Sequence, residues 1–428
     1  MIRSRLATAA ALVCAAARLS AQGPEQLTLK DAEARAVQNH PRIQIEQYNA
    51  LAAGETVRQA KSAYYPAVFG AVTGAEALEG TRIAAGALNN PTILDRFAYG
   101  VAGAQMLTDF GRTGNLTASA RFHQESAQQA LADERAIVLL QVDQAYFDAL
   151  RAQAVERVAE DTVAARQLVV DQVSALATAG LRSTLDLNFA QVNLSEAQLL
   201  RLQATNDLQA SFATLSAALG APQTATYALM DEALPAAPPA DSSTLVSAAL
   251  RDRPDVAQQR FAEESAMKFA EAEHDLFFPT LSAIGAAGLT PFHEAGINDR
   301  YAAIGVNLTV PITNGNLFAA RHTEAMLRAS AEQQALRDLQ DQVARDVQIA
   351  WLNAQTAFQR LDLTNQLLTQ ATDTLDLAQQ RYNLGLSSIV ELTQAQLNLT
   401  RAQIDQATAR YEYQERNRAL QFQLGTLQ

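Results

Sequence analysis

Cysteine occurs once in this chain of 428 residues, at Cys14, and tryptophan once, at Trp351. A lone cysteine excludes an internal disulfide framework and any zinc site built on several thiolates. Aromatic residues make up only 6% of the chain although 48% of it is hydrophobic. The apolar content is therefore carried by small and aliphatic side chains, which suits long helices in close contact better than a large globular core. Basic residues are short too, 33 Lys and Arg against 45 Asp and Glu, for a net charge of −12. Nucleic-acid binding needs clustered positive charge and is not expected as a partner function. Beyond the N-terminus no run of eighteen apolar residues occurs, so no transmembrane helix is expected there. Barrel strands leave a weaker trace and stay open. Catalytic signatures are missing as well. His40, His123, His274, His293 and His322 are scattered, with no HExxH spacing, no GxSxG elbow and no phosphate-binding glycine loop. Neither an enzyme nor a cofactor or metal site is expected.

What is present begins with "MIRSRLATAAALVCAAARLSAQ". Arg3 and Arg5 precede a short apolar run that ends in small residues near Ala21, which reads as a secretory signal peptide over 1–21. Val13 stands before Cys14 where a lipidated cysteine needs a small residue, so a lipoprotein is not expected. Without Arg3, Arg5 and Arg18 the exported chain is more acidic and has no cysteine, so packing and oligomerisation must supply its stability.

The chain then repeats itself. "KSAYYPAVFGAVTGAEA" (61–77) is echoed by "EHDLFFPTLSAIGAAGL" (273–289), and "NHP" (39–41) by "DRP" (252–254), both at an offset of 213. Gly180 is echoed by Gly385, and Gly220 by Gly425, at an offset of 205. The shortfall places a longer loop in the first copy, at "GTRIAAGALNNPTILD" (80–95). Val138, Val142, Ala145, Ala149 and Ala152 follow alternating spacings of four and three, and Val343, Val347, Ala350, Ala354 and Ala357 repeat them identically. Such a pattern is a coiled-coil seam, and its alanines allow close helix approach. Each copy therefore reads as helix, two strands, very long helix, tight turn, long helix. The first covers 22–220, with strands near 66–78 and 97–108 and helices near 111–176 and 182–219. A proline-rich linker, 221–241, leads to the second, 242–428, with strands near 279–290 and 301–311 and helices near 315–381 and 387–424. Pro41 and Pro254 are expected to kink or start helices.

Proline disfavours the helical conformation in the residue before it, so Tyr65 and Phe278 should leave their helices and lead into strands. In "YAAIGVNLTVP" (301–311) Ile304, Val306, Leu308 and Val310 alternate with small or polar residues, as in a half-buried strand. "FAYGVAGAQML" (97–107) alternates more weakly, with Tyr99, Val101 and Leu107 on one face. Strands of about ten residues cross a bilayer when tilted. Tyr64, Tyr65, Phe277 and Phe278 would then lie at the membrane interface. Four strands cannot close a barrel, and open edges are not tolerated in lipid, so closure by other copies of the chain is expected. Two copies would provide eight strands and three would provide twelve.

The signal peptide, the duplicated halves, the aromatic-proline transitions, "DFGR" (109–112), the paired glycine turns and "RYNLGLSSIVELTQAQLNLTRAQ" (381–403) together resemble the TolC-like outer-membrane efflux proteins. The resemblance implies a homotrimer with a twelve-stranded membrane β-barrel continued by an all-α coiled-coil barrel across the periplasm. It implies an exit duct in the outer membrane of a Gram-negative-type cell, docked to a periplasmic adaptor (membrane fusion) protein and an inner-membrane transporter. By resemblance the adaptor contacts the turns Ala179-Gly180-Leu181 and Leu384-Gly385-Leu386, and a polar link at the periplasmic gate falls on Tyr382 and Asp186. An acidic ring falls on Glu391, its second member replaced by Gln394; the locking arginine is replaced by Ser387, with Arg182 offering a charge in the other turn. An exported coiled-coil scaffold or surface fibre is the alternative, which accounts for the helices but not for the strands.

Overall fold

The structure, a computed structural model, describes residues 25–76, 78, 95–293 and 298–427. The expected signal peptide and nearly all of the longer first-copy loop lie outside these residues. In chain order the elements are β1 (Glu25–Leu27), α1 (Leu29–Asn39), α2 (Pro41–Ser62), β2 (Ala67–Ala75), β3 (Arg96–Thr108), α3 (Arg112–Thr178) and α4 (Thr184–Ala218). They continue with β4 (Tyr227–Leu229), α5 (Ser243–Asp252), α6 (Pro254–His274), β5 (Thr280–His293), β6 (Arg300–Thr309), α7 (Leu317–Asn383) and α8 (Ile389–Gln423). The duplication is kept to the residue. Every boundary of α3 and α4 recurs in α7 and α8 at an offset of 205, from Arg112 to Leu317 and from Ala218 to Gln423. Pro41 and Pro254 both start new helices, because proline lacks the N–H that a first turn leaves unused.

Two compact units cut across the two sequence copies: Met1–Ile45, Ala132–Arg253 and Asp341–Gln428 form one, Glu46–Leu131 and Pro254–Gln340 the other. In the first unit the seam behaves as its spacing requires. Val138, Val142, Ala145 and Ala149 are buried and Ala152 half-buried; in the second copy Val343, Val347, Ala354 and Ala357 are buried and Ala350 half-buried. Two further rows of large apolar residues have no partner among the described residues. Leu185, Phe189, Val192 and Leu199 stand exposed along α4, as do Leu363, Leu367 and Leu377 along α7.

This unit also holds two three-residue strands that periodicity does not reveal. β1 pairs in parallel with β4. Buried Tyr146 holds the pair: its hydroxyl accepts from Met230 N at 3.1 Å and lies 2.8 and 2.7 Å from the carbonyl oxygens of Leu27 and Met230. Burial pushes that phenol up to about 12. The linker after β4 is a strap bound to the helices. Gln414 donates to Glu232 O at 2.9 Å, Trp351 Nε1 to Pro239 O at 2.8 Å, and the Tyr413 hydroxyl to Ala236 O.

In the second unit the four long strands form one antiparallel sheet in the order β2-β3-β5-β6. The register places Val68, Val72, Tyr99, Val101, Leu289, Ile304, Val306 and Leu308 on one face. Ala71, Thr73, Ala98, Ala102, Ala286, Ala303, Asn307 and Thr309 occupy the other, interspersed with the large residues Phe69, Ile284 and Tyr301. The larger face is bare, with Ile304 91% exposed. The outer edges of β2 and β6 have no strand partner among the described residues. At the passage from β3 into α3, Asp109 accepts from Thr113 N at 2.7 Å, and Phe110 adopts a left-handed φ of 55°. Gly315 holds the matching position before α7, at 60°. Arg112 lies 3.9 Å from buried Glu273, which Arg321 grips at 2.6 Å.

Candidate gate at the helical turns

Both turns between paired helices are built alike, and both belong to the first unit. After α3, Gly180 adopts φ +75°, Gly180 N donates to Ala177 O at 3.0 Å and Leu181 N to Leu176 O at 2.9 Å. After α7, Gly385 adopts φ +73°, Gly385 N donates to Tyr382 O at 3.0 Å and Leu386 N to Arg381 O at 2.8 Å. Reaching back in this way satisfies carbonyls that a helix end leaves unpaired, and only glycine enters the left-handed region without a Cβ penalty. Ser183 and Ser388 then cap α4 and α8, accepting from Asp186 N at 3.2 Å and Glu391 N at 3.4 Å. Leu181, Leu384 and Leu386 project into solvent, each at least two-thirds exposed.

Asp186 and Glu391 are counterparts at the 205 offset, yet they are used differently. The Asp186 carboxylate accepts from Ser183 N at 3.4 Å and closes a capping box. Glu391 forms an ion pair with Arg381, Nε to Oε1, at 3.0 Å. Tyr382 is only 4% exposed and packs with Val169, Val173, Ala190, Ile389 and Leu392. The Arg182 guanidinium lies 4.5 Å over its ring, and Arg182 Nη2 donates to Tyr382 O at 3.1 Å. Arg182 thus adds a cation–π contact to a cap on the last turn of α7.

The Tyr382 hydroxyl and the Ser387 hydroxyl are both buried without a hydrogen-bond partner among the described residues. Burial raises the Tyr382 phenol above its usual range; Arg182 pulls it down and Asp186 pushes it up. The structure therefore brings Arg182, Tyr382 and Asp186 together, with Arg182 rather than Asp186 bonded to the tyrosine residue. Gln394 turns away to donate to Asn398 at 3.0 Å. Arg381 and Asn193 were not singled out in the sequence. Asn193 bridges α4 and α8 by donating to Thr393 Oγ1 at 3.1 Å. Arg381 could have been found as a basic residue ten positions before Glu391 across a tight turn.

The aromatic pairs belong to the second unit. Tyr64 and Tyr65 follow α2, while Phe277 ends a short 3-10 turn, Asp275–Phe277, and Phe278 is extended. All four are at least 40% exposed. Phe278 lies 6.4 Å from Phe110, ring to ring, and Phe277 meets Phe318 edge-on at 6.0 Å.

No helix among the described residues is long and apolar enough to cross a membrane. A family model described as "Outer membrane efflux protein" matches residues 34–221 and 245–426, one match for each copy. The chain is similar to the outer membrane efflux protein BepC of Brucella suis, 24% identical over 94% of this chain and 86% of that one. It is similar to the outer membrane protein TolC of Escherichia coli, 22% identical over 68% of this chain and 62% of that one. Among solved structures, the CmeC outer membrane channel of Campylobacter jejuni superposes with a TM-score of 0.78 at 16% identity, covering 93% of this chain and 85% of that one. The outer membrane protein VceC of Vibrio cholerae gives 0.77 at 18% identity, covering 93% and 96%.

Proposed function

The chain belongs to the outer membrane efflux protein family, and from that premise we propose that three copies of it form the exit duct of a tripartite efflux system. It is an outer-membrane channel reaching into the periplasm, a transport protein and not an enzyme. Channels of this family form trimers in tripartite pumps. The observation that carries the reading for this chain is the four-stranded sheet with two unpaired edges and a bare apolar face. In water that face exposes large side chains at the cost of about 25 cal/mol per Å². In a bilayer the same face is matched by lipid tails, and only the open edges remain costly. Three copies join those edges into twelve strands, wide enough for a lumen.

The exposed apolar rows on α4 and α7 support a closed ring of copies, since each subunit then offers one row to each neighbour. Tyr64, Tyr65, Phe277 and Phe278 serve as interfacial anchors at the lipid boundary. The turns at Gly180 and Gly385, with exposed Leu181, Leu384 and Leu386, receive a periplasmic adaptor, through which an inner-membrane transporter is reached. Arg182, Tyr382 and Asp186 hold the gate closed, and the buried unpaired hydroxyls of Tyr382 and Ser387 are the groups a neighbouring subunit would satisfy.

The test is outer-membrane fractionation followed by planar-bilayer recording of the detergent-purified protein. A trimer that conducts is expected. A chain recovered in the aqueous fraction as a monomer would overturn the reading. Within conducting trimers, R182A combined with Y382F is expected to raise conductance, and an unchanged value removes those residues from the gate.

A further inference from the structure

We propose that Arg381 sets the ion selectivity of the duct's entrance by cancelling the charge of Glu391, so that this entrance does not filter for cations. The inference rests on the duct reading above and deepens it. The counterpart of Glu391, Asp186, closes its own helix cap and shares the surroundings of Tyr382 with the opposite charge of Arg182. One turn further along α8 the neutral Gln394 stands, bonded to Asn398. A ring of three bare carboxylates would attract cations and repel anions. Arg381 removes that field at its source. Its Nε lies 3.0 Å from Glu391 Oε1, well inside the screening length of about 8 Å at physiological salt.

The pair is a feature of one half of the duplication only. The position matching Arg381 in the first copy is Leu176, and Arg182, the charged residue of the other turn, faces the Tyr382 ring instead. Both members of the pair are about half exposed, at 55% and 45% of the side chain, so the contact adds little to folding stability. Its effect is electrostatic: three charges around the entrance become three short dipoles, and the field of a dipole dies away faster than that of a charge. The substrate class follows. An entrance of this kind admits anionic and neutral solutes as readily as cationic ones, and discrimination by charge is left to the pump.

The test is the reversal potential of purified trimers in planar bilayers under a potassium chloride gradient. The wild-type protein should show weak preference for either ion. R381Q should shift several-fold toward potassium, E391Q should shift toward chloride, and R381K should keep the wild-type value. The swap R381E with E391R should return selectivity to wild type, whereas R381E alone should be the most cation-selective of the set. Should R381Q fail to assemble, the chloride-ward shift of E391Q reads the same balance from its other side. Conducting trimers in which R381Q and E391Q both leave the reversal potential unchanged would overturn this inference and leave the duct reading standing. Absence of conductance from the wild-type trimer would remove both.

Discussion

Four long helices end on glycine, and the four ends are of two kinds. Gly180 and Gly385, at the exposed turns, have φ of +75° and +73°; Gly220 and Gly425, at the far ends of α4 and α8, have +69° and +71°. The backbone demand is the same, but the surroundings are not. A Cβ added at Gly180 or Gly385 would meet nothing within 4 Å. At Gly220 it would lie 3.1 Å from the backbone of Asn39, and at Gly425 2.9 Å from the backbone of Asp252. Those two ends are pressed against the chain just before Pro41 and Pro254, and Arg253 reaches across to Gln423 O at 3.3 Å. One pair of glycines thus serves close packing as well as turning, while the other serves turning alone. Helix ends whose glycines are not wedged against remote backbone are the less costly places for a structure to move, as a gate requires.

The largest expected effect tests the packed pair. G425A adds the left-handed penalty of about 1–2 kcal/mol to an overpacking cost of similar size, about 3 kcal/mol together, with G220A slightly below it. Denaturant unfolding of the purified protein should show the loss, and an equal loss in G385A would break the comparison.

The second prediction concerns buried acids that accompany the packed region. Asp143 is fully buried; Arg418 Nε, 3.4 Å from its carboxylate, pulls its pKa down, but burial and neighbouring Glu33 push it up to about 8. Glu415 is likewise raised to about 8, by burial and Asp148, against Arg151 and Arg416. An acid raised in the folded state favours folding while protonated. That advantage is whole below about pH 4, near the unfolded value of 3.8, and is lost as pH climbs through about 8. Stability should therefore fall across this window. D143N should flatten the slope and gain about 2 kcal/mol at pH 8, the scale of one badly solvated buried group. A slope left intact in D143N would assign the titration elsewhere.

Smaller effects belong to the exposed turns. G385A carries only the left-handed penalty, about 1–2 kcal/mol, so its unfolding midpoint should move less than that of G425A while amide exchange quickens over 384–388. R182A, which removes the contact over Tyr382, should loosen the last turn of α7 by about 0.5–1 kcal/mol, visible as faster exchange over 378–386. Protection unchanged in R182A would show that the cap at Tyr382 O and the ring contact do not hold this end.

Much of this was legible along the chain. The four-three seam predicts long helices, because helical period and apolar spacing are the same quantity. Alternation located β6 and, less sharply, β3, whose second face is lined with alanine and glycine and so gives little contrast. The aromatic-proline steps marked where helices stop, since proline acts on its immediate neighbour. The paired strands β1 and β4 were not legible: three residues are too few for a period, and their partners stand about two hundred positions apart. The linker looked free in sequence, yet side chains of α7 and α8 hold it down. Arg381 is legible only as a basic residue across a tight turn from Glu391, a spacing that permits their contact without requiring it.

Sequence by itself determined the helices and their glycine ends, because these depend on sterics and periodicity between near neighbours, and it showed the duplication and the family through the likeness of whole stretches. Tertiary structure alone decided which glycine ends are wedged, which acids are buried, which arginine meets which carboxylate, and which strand edges are left open. Those outcomes depend on the close approach of remote segments, and a linear order of residues does not specify such distances.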